Sequence, residues 1–261
     1  MATKLAAGAA GGVPPGQSSP FLSFINSATC YANTSDLMDS YDDAVNLQTA
    51  GPNALDNSVS SFVVSTDQGV IDGYKALYTT NAQKFLLSPL GQVEFLLYAT
   101  GNVGSTSQTI SIQFALQHPF SQGRMHTTTK DAFDQPALDP QYLSHPADVQ
   151  LMRQAVKLAR KVGTTAPLSN ALGTEVSHGQ AVNSDDQIDA FVAGDIQTEF
   201  HPANTLAMLP RNQGGVVNAQ LKIYGLQNVR AVDASIFPLQ FAAHVSPFVA
   251  PFSSSLTWDL C

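Results

Sequence analysis

Charge is scarce in this sequence, and positive charge scarcest. Charged residues fill 12% of its 261 positions, with 12 Lys and Arg against 20 Asp and Glu and a net charge of −8. A surface that neutralises nucleic-acid phosphates or an anionic bilayer needs clustered cations, so neither partner is expected. Long apolar runs are also missing. Nothing nears the roughly 18 consecutive apolar residues of a spanning helix, so no membrane partner is expected. Only two cysteines occur, Cys30 and Cys261, at opposite ends of the chain. Two cannot build a disulfide framework or a zinc site unaided. One bridge stays open, and two free thiols are the better reading. Residues 1–15 lack the Leu-rich stretch of a secretory signal. A cytoplasmic location is therefore expected, with secretion left open. Asn33-Thr34-Ser35 has the form of a glycosylation sequon, a triplet that chance also produces.

Several catalytic signatures are absent too. The six histidines are His118, His126, His145, His178, His201 and His244, and no two form an HxxxH or HxH pair. No metal site is expected. There is no GxSxG elbow and no P-loop. Acid–base chemistry by histidine remains, because imidazole titrates near neutral pH.

What is present is apolar. Hydrophobic residues make up 44% of the chain, which excludes intrinsic disorder and allows one large domain or two small ones. Residues 1–20, rich in Gly, Ala, Pro and Ser, read as a flexible leader, and 21–261 as one domain. Phe21–Ala28 reads as a short strand or lining loop. The spacing of Leu37, Met38, Tyr41, Ala44, Val45 and Leu47 predicts helix over 35–55. Helix is also predicted over 70–78 and 81–87, and strand over 96–100. Thr109–Gln117 alternates apolar and polar residues as a strand does, and 123–129 follows as a second strand. Phe133–Asp139 carries turn chemistry. Over 147–162, Val149, Met152, Val156, Ala159 and Val162 share a helix face, and Ser144 and Pro146 fit its start. Ser184 with Gln187 fits a capping box for a helix over 185–195. Gly214-Gly215 marks a turn, and 229–233 reads as a strand.

Two segments carry a specific signature. The first is His201-Pro-Ala-Asn-Thr-Leu-Ala-Met-Leu-Pro-Arg, followed by Gly214-Gly-Val-Val-Asn. The second is Leu221-Lys-Ile-Tyr-Gly-Leu-Gln-Asn-Val-Arg-Ala-Val-Asp-Ala-Ser-Ile-Phe-Pro238, followed by Ala243-His-Val245. Together they resemble the C-terminal signature of the glucose–methanol–choline (GMC) flavoprotein oxidoreductases, whose two catalytic positions match His201 and His244, 43 residues apart. His118-Pro-x-Ser-x-Gly-Arg124, Asp139-Pro-x-Tyr-Leu-Ser-His-Pro-Ala-Asp148 and Leu158-Ala-Arg-Lys161 look like the same family's substrate-domain core. The resemblance is best over 110–245.

The resemblance implies an α+β fold: a twisted antiparallel sheet with helices on one face, plus a remnant of the FAD domain's C-terminal segment. It implies that His201 and His244 are catalytic and that Asn204 and Phe241 bind substrate. Asp233, Ala234 and Val245 would meet the cofactor if FAD binds. The other four histidines, Arg124 and the glycines 214, 215 and 225 read as structural.

The family also opens with a Rossmann unit bearing GxGxxG, and no GxGxxG occurs here. Asn204 stands where the family usually has Gly, and Asn218 where it usually has Asp. Two readings follow. In the first, the chain works without cofactor as a cyclase, isomerase, dehydratase or lyase. Its substrate would be a small hydroxylated, aromatic or polyketide-like metabolite of secondary metabolism. In the second, it is the substrate-binding half of an FAD-dependent alcohol oxidase or dehydrogenase. Either way, a homodimer or partner chain is expected to cover the face that would meet the FAD domain.

Overall fold

The computed structural model describes residues 2–9, 28–98, 109–177, 179 and 181–244. In chain order the strands are β1 (Ala2–Ala9), β2 (Ala28–Ala32), β3 (Val93–Tyr98), β4 (Thr109–Leu116), β5 (Arg124–His126), β6 (Ala137–Asp139) and β7 (Leu172–Glu175). The helices are α1 (Thr34–Leu37), α2 (Tyr41–Asn53), α3 (Leu55–Phe62), α4 (Gln68–Thr80), α5 (Pro146–Thr164) and α6 (Asp185–Asp195). Where one domain was expected over 21–261, the chain forms two compact units. One comprises residues 1–44, 89–117 and 146–199, the other 45–88, 118–145 and 200–261. Cys30 is an exposed free thiol, while Cys261, His178 and the segment 21–27 lie outside the described residues.

The first unit is the expected antiparallel sheet with helices against it. Strand order is β2-β3-β4-β1-β7, and every neighbouring pair runs antiparallel. On β4, Ile112, Phe114, Ala115 and Leu116 are all buried, because both faces of this central strand are covered. Phe114 sits opposite Phe95 of β3, with ring centroids 6.0 Å apart. Helix α5 packs against β1, β3 and β4. Its Leu151, Met152, Ala155 and Val156 are fully buried. The apolar face stops short of its predicted end, since Val162 is exposed.

Two expectations change here, and one buried group is added. Ala2–Ala9 is a strand paired with β4 from Ala2↔Ala115 to Gly8↔Thr109, where a flexible leader was expected. The segment is almost all small residues, so its pairing rests on backbone hydrogen bonds that composition does not display. The helix predicted over 35–55 is broken after Leu37. Asn33 caps α1 in a reciprocal pairing with Asp36, and Ser40 Oγ accepts from the Asp43 N–H at 3.1 Å to start α2. Cross-strand from Tyr31, Glu94 is buried and accepts the Tyr31 hydroxyl at 2.9 Å. No periodicity signals that carboxylate.

The second unit contains less regular structure. Asp67 caps α4, accepting from the Gly69 N–H at 2.8 Å and the Val70 N–H at 3.2 Å. The helix continues into a π-helical turn over Asn81–Phe85. Strands β5 and β6 pair as a short ladder, Arg124↔Asp139 to His126↔Ala137. So the strand expected over 123–129 is only three residues long, and part of the predicted turn region is its partner. Arg124 donates to the Ser61 carbonyl at 2.8 Å, a structural role.

Residues 200–244 run as turns joined by isolated bridges, Met208↔Val217, Val217↔Ile223 and Lys222↔Arg230. The strand expected over 229–233 reduces to that last bridge. The segment is held by a small core of Val217, Leu221, Ala231, Ile236 and Phe237. Glycine is required where backbones touch. A Cβ at Gly215 would lie 1.9 Å from the Leu209 carbonyl oxygen, and one at Gly73 of α4 only 2.1 Å from that of Gln213.

Candidate functional site

The signature histidines, distant in sequence, meet in the second unit. His201 Nε2 and His244 Nδ1 are 2.8 Å apart, and the rings stand edge to face with centroids 5.0 Å apart. At that distance one ring donates an N–H and the other accepts it, so the pair shares a proton. His201 is half-buried and His244 exposed. The chain holds His201 from behind: the Gln240 side-chain amide donates to the His201 carbonyl at 2.5 Å.

Beside His201 is a cavity of about 220 Å³. Leu77, Tyr78, Phe120 and Pro238 give it an apolar wall, and Asn204 and His118 are among its polar residues. For scale, a cavity of about 150 Å³ holds benzene, so this one admits a single substituted ring. Tyr78, Phe120 and His145 form an aromatic cluster, and the Tyr78 hydroxyl bonds His145 Nε2 at 2.9 Å. His118 and His145 are both buried, which lowers the pKa of each to about 4. They are therefore neutral rings at physiological pH.

The expected site residues fare differently. Asn204 lines the cavity and donates to the Pro238 carbonyl at 2.5 Å. Its φ is +78°, in the left-handed region. That accounts for Asn where the family usually has Gly, since Asn is the side chain that best tolerates this conformation. Phe241 packs edge to face on Phe237 of the small core, with centroids 4.7 Å apart. It is half-buried and packs against that core, and it is not among the residues lining this cavity. The Asp233 carboxylate accepts from the Ser235 N–H at 2.9 Å and from its hydroxyl, capping the turn Ala234–Ile236. Ala234 packs against the same core. Val245 lies outside the described residues. His118, Asn81 and Gln240 were missed as cavity residues. His118 follows a strand in a motif that reads as structural, and the two amides carry no motif.

The residues fit one end of a flavin cofactor. Two imidazoles sharing a proton suit the alcohol-reacting end, and the exposed Asp233 lies on the same segment as His244. No GxGxxG is present for the pyrophosphate end.

Comparison with known proteins agrees with the signature. The family profile for GMC oxidoreductases matches residues 119–251. A GMC oxidoreductase family protein, Mala s 12, of Malassezia sympodialis is 36% identical over 228 residues, covering 87% of this chain and 35% of that protein. The alcohol dehydrogenase (acceptor) of Pseudomonas putida is 36% identical over 120 residues, covering 46% of this chain and 22% of its own. A solved structure of a fungal aryl-alcohol oxidase superposes with a TM-score of 0.74 at 26% identity, over 86% of this chain and 36% of that one. The chain thus spans about a third or less of the length of these relatives. It belongs to the GMC oxidoreductase family.

Proposed function

We propose that the chain is the substrate-binding part of an FAD-dependent oxidoreductase acting on the CH–OH group of a small alcohol with an aromatic or similarly apolar body. The observation that carries this is the His201–His244 pair, 2.8 Å apart, with His201 lining the cavity. The relatives named above are oxidoreductases, and one is an aryl-alcohol oxidase. They support the second of the two readings taken from the sequence. They give no support to a cyclase, isomerase, dehydratase or lyase, or to a place in secondary metabolism.

FAD, when bound, supplies the acceptor for the hydride that leaves the carbinol carbon. This chain's own residues handle the proton and the position. The apolar wall of Leu77, Tyr78 and Phe120 takes the body of the alcohol and excludes water. The hydroxyl hydrogen-bonds to the imidazole pair, and a neutral ring takes its proton as the C–H bond breaks. The neighbouring ring shares the resulting charge across the 2.8 Å contact. The Gln240 amide and the Asn204–Pro238 bond fix the two turns that carry this geometry. Because FAD has no pyrophosphate loop here, its remaining contacts belong to further chain or to a partner subunit.

The test is to purify the protein from its source and record its visible spectrum. Flavin bands that bleach anaerobically on adding an aryl alcohol are expected. His201→Ala and His244→Ala should each slow the bleaching about 10²–10⁴-fold with folding intact. A colourless protein that converts a hydroxylated substrate without any oxidant would restore the non-redox reading.

A further inference from the structure

A second cavity, of about 290 Å³, adjoins the one beside His201, and both lie within the second unit. Tyr74, Leu77, Gln122 and Asn204 line both, so the two spaces are divided by side chains that face each of them. The second cavity lies between the residues from Phe62 into α4 on one side and the turns over 204–216 on the other. Glycines bolt those walls together at one end. A Cβ at Gly69 would lie 2.9 Å from the Asn212 carbonyl oxygen, and one at Gly214 2.9 Å from the Val70 Cα. Backbone meets backbone there, so the slot beside the contact is fixed by main chain rather than by movable side chains. A preformed slot costs little ordering to occupy.

The lining decides what fits. Val63, Val64, Val70 and Val216 give the slot an aliphatic surface. Val64 and Val70 are 65% and 37% exposed, so apolar surface stays wet at the mouth, and hydrocarbon laid over it would release that water. The polar side chains of the lining are neutral, and two are already engaged. Ser65 Oγ accepts from the Asp67 N–H at 3.1 Å, and the Asn204 amide donates to the Pro238 carbonyl. No Asp, Glu, Lys, Arg or His lines the slot, so a charged occupant would find no counter-charge. Of the dividing side chains, Leu77 and Gln122 can change rotamer without breaking a hydrogen bond between described residues.

We propose that the second cavity receives an uncharged aliphatic tail on the alcohol, so that the substrate is an alkyl-substituted aryl alcohol rather than a bare ring. The inference rests on the alcohol reading of the first cavity. The carbinol meets the imidazole pair, and the ring fills the space of about 220 Å³ beside it. That space has little room beyond a ring, since about 150 Å³ already holds benzene. The tail passes Leu77 and Gln122 into the second space. Each methylene taken out of water there adds affinity by apolar burial.

The experiment is calorimetric titration of the protein purified from its source, reduced with dithionite under nitrogen so that a bound flavin cannot take hydride. The probes are benzyl, para-methylbenzyl, para-ethylbenzyl and para-butylbenzyl alcohol, and the butyl compound with its tail ending in a carboxylate. Affinity should rise roughly fourfold per added carbon, about 10²-fold across the uncharged series. The carboxylate should abolish that gain. Val64→Trp, made at the exposed rim, fills the slot and should bring the butyl and benzyl affinities close together. If that variant fails to fold, Thr205→Phe on the opposite wall blocks the same space, and the carboxylate comparison needs no variant. A flat series, or a gain that survives the blocking variant or the carboxylate, would overturn the inference. A flat series in a protein whose flavin bleaches with benzyl alcohol would overturn it alone. A graded series lost on blocking, in a protein whose flavin never bleaches, would overturn the redox reading alone.

Discussion

The two units solve the problem of burying polar groups in opposite ways. In the first, the half-buried charges are paired, while the buried Glu94 takes the Tyr31 hydroxyl. Arg153 clasps Asp189 at 2.5 and 2.7 Å, and Arg160 clasps Glu175 while donating to the Val182 carbonyl at 2.6 Å. In the second, buried polar groups are held neutral. Its buried histidines among the described residues, His118 and His145, are kept uncharged by burial. The described ion pairs all lie in the first unit and the described histidines all in the second. A paired charge tolerates pH change until one partner neutralises. A buried neutral base does not tolerate acid, because protonation would bury a charge. The unit that carries the site is thus the one most exposed to acid.

The largest effect should come from breaking the first unit's core. Val156 on α5 is fully buried against the sheet. Val156→Asp places an unpaired carboxylate there and forfeits the roughly 1.5–3 kcal/mol of the buried side chain. The desolvation cost comes on top, so the variant should fail to fold or lose most of its stability. Thermal unfolding followed by circular dichroism reads this. An unchanged transition would mean that α5 is not a core element.

Acid should then separate the units. An unfolded His has a pKa near 6.5, and His118 and His145 titrate at about 4 when folded. Between those values the unfolded chain binds more protons than the folded one. Stability from each His is therefore complete above pH 6.5 and is lost as pH falls to about 4. A displacement of that size is worth roughly 3 kcal/mol per group. In the first unit Asp185 is also shifted down, held below the usual aspartate range by Lys157 and Arg153, so its contribution is lost only at lower pH. That link survives until pH falls below the ordinary aspartate value. Hydrogen exchange mapped by peptide at pH 7, 5.5 and 4.5 should show protection falling first in 68–85 and 118–145. Simultaneous loss in 93–98 and 109–116 would erase the contrast.

This contrast also separates what could be read in the sequence from what could not. Helix α5 shows its face through Val149, Met152, Val156 and Ala159, α6 announces itself through Ser184 and Gln187, and β4 through its alternation. Those signals are local, and they describe the first unit well. In the second unit local pattern fails, because 200–244 is built of turns whose bonds are made by whatever backbone comes near. There only landmark residues carried information. The His201–His244 pairing was legible from a resemblance, while the packing of Phe241 against the small core and the capping by Asp233 were not. Asn81 and Gln240 could not be found, since an amide's role here depends on which carbonyl lies 3 Å away. Even β1 was hidden, because small residues pair by backbone alone.

A middling effect tests the paired-charge side of the comparison. Arg160 ties α5 to Glu175 of β7 and, through the carbonyls of Val182 and Gly179, to the loop before α6. Removing it leaves a half-buried carboxylate and two carbonyls without their donor. Arg160→Met keeps the apolar stem and should cost about 1–3 kcal/mol, read as a shift in urea midpoint with unchanged slope. The change should leave aryl-alcohol binding alone, because the cavity lies in the other unit. Weakened binding with the fold intact would mean that the units are not separable in function.

The smallest effect belongs to the same helix one turn earlier. Lys157 Nζ lies 2.8 Å from Asp185 Oδ1, with both side chains well exposed. Exposed pairs contribute about 0–1 kcal/mol because water screens the attraction and two long side chains must be ordered. Asp185 also keeps a second partner, Arg153 Nη1 at 3.1 Å, so losing Lys157 does not strand it. Lys157→Met should therefore cost under about 0.5 kcal/mol, and the difference should vanish in high salt. Arg160→Met, with its partners half-buried and its bonds made to backbone as well, should keep most of its cost in the same buffer. If Lys157→Met instead cost as much as Arg160→Met and resisted salt, exposure would not be what grades the charges of this unit. The difference between its clasped and its solvated pairs would then have to come from the helix itself.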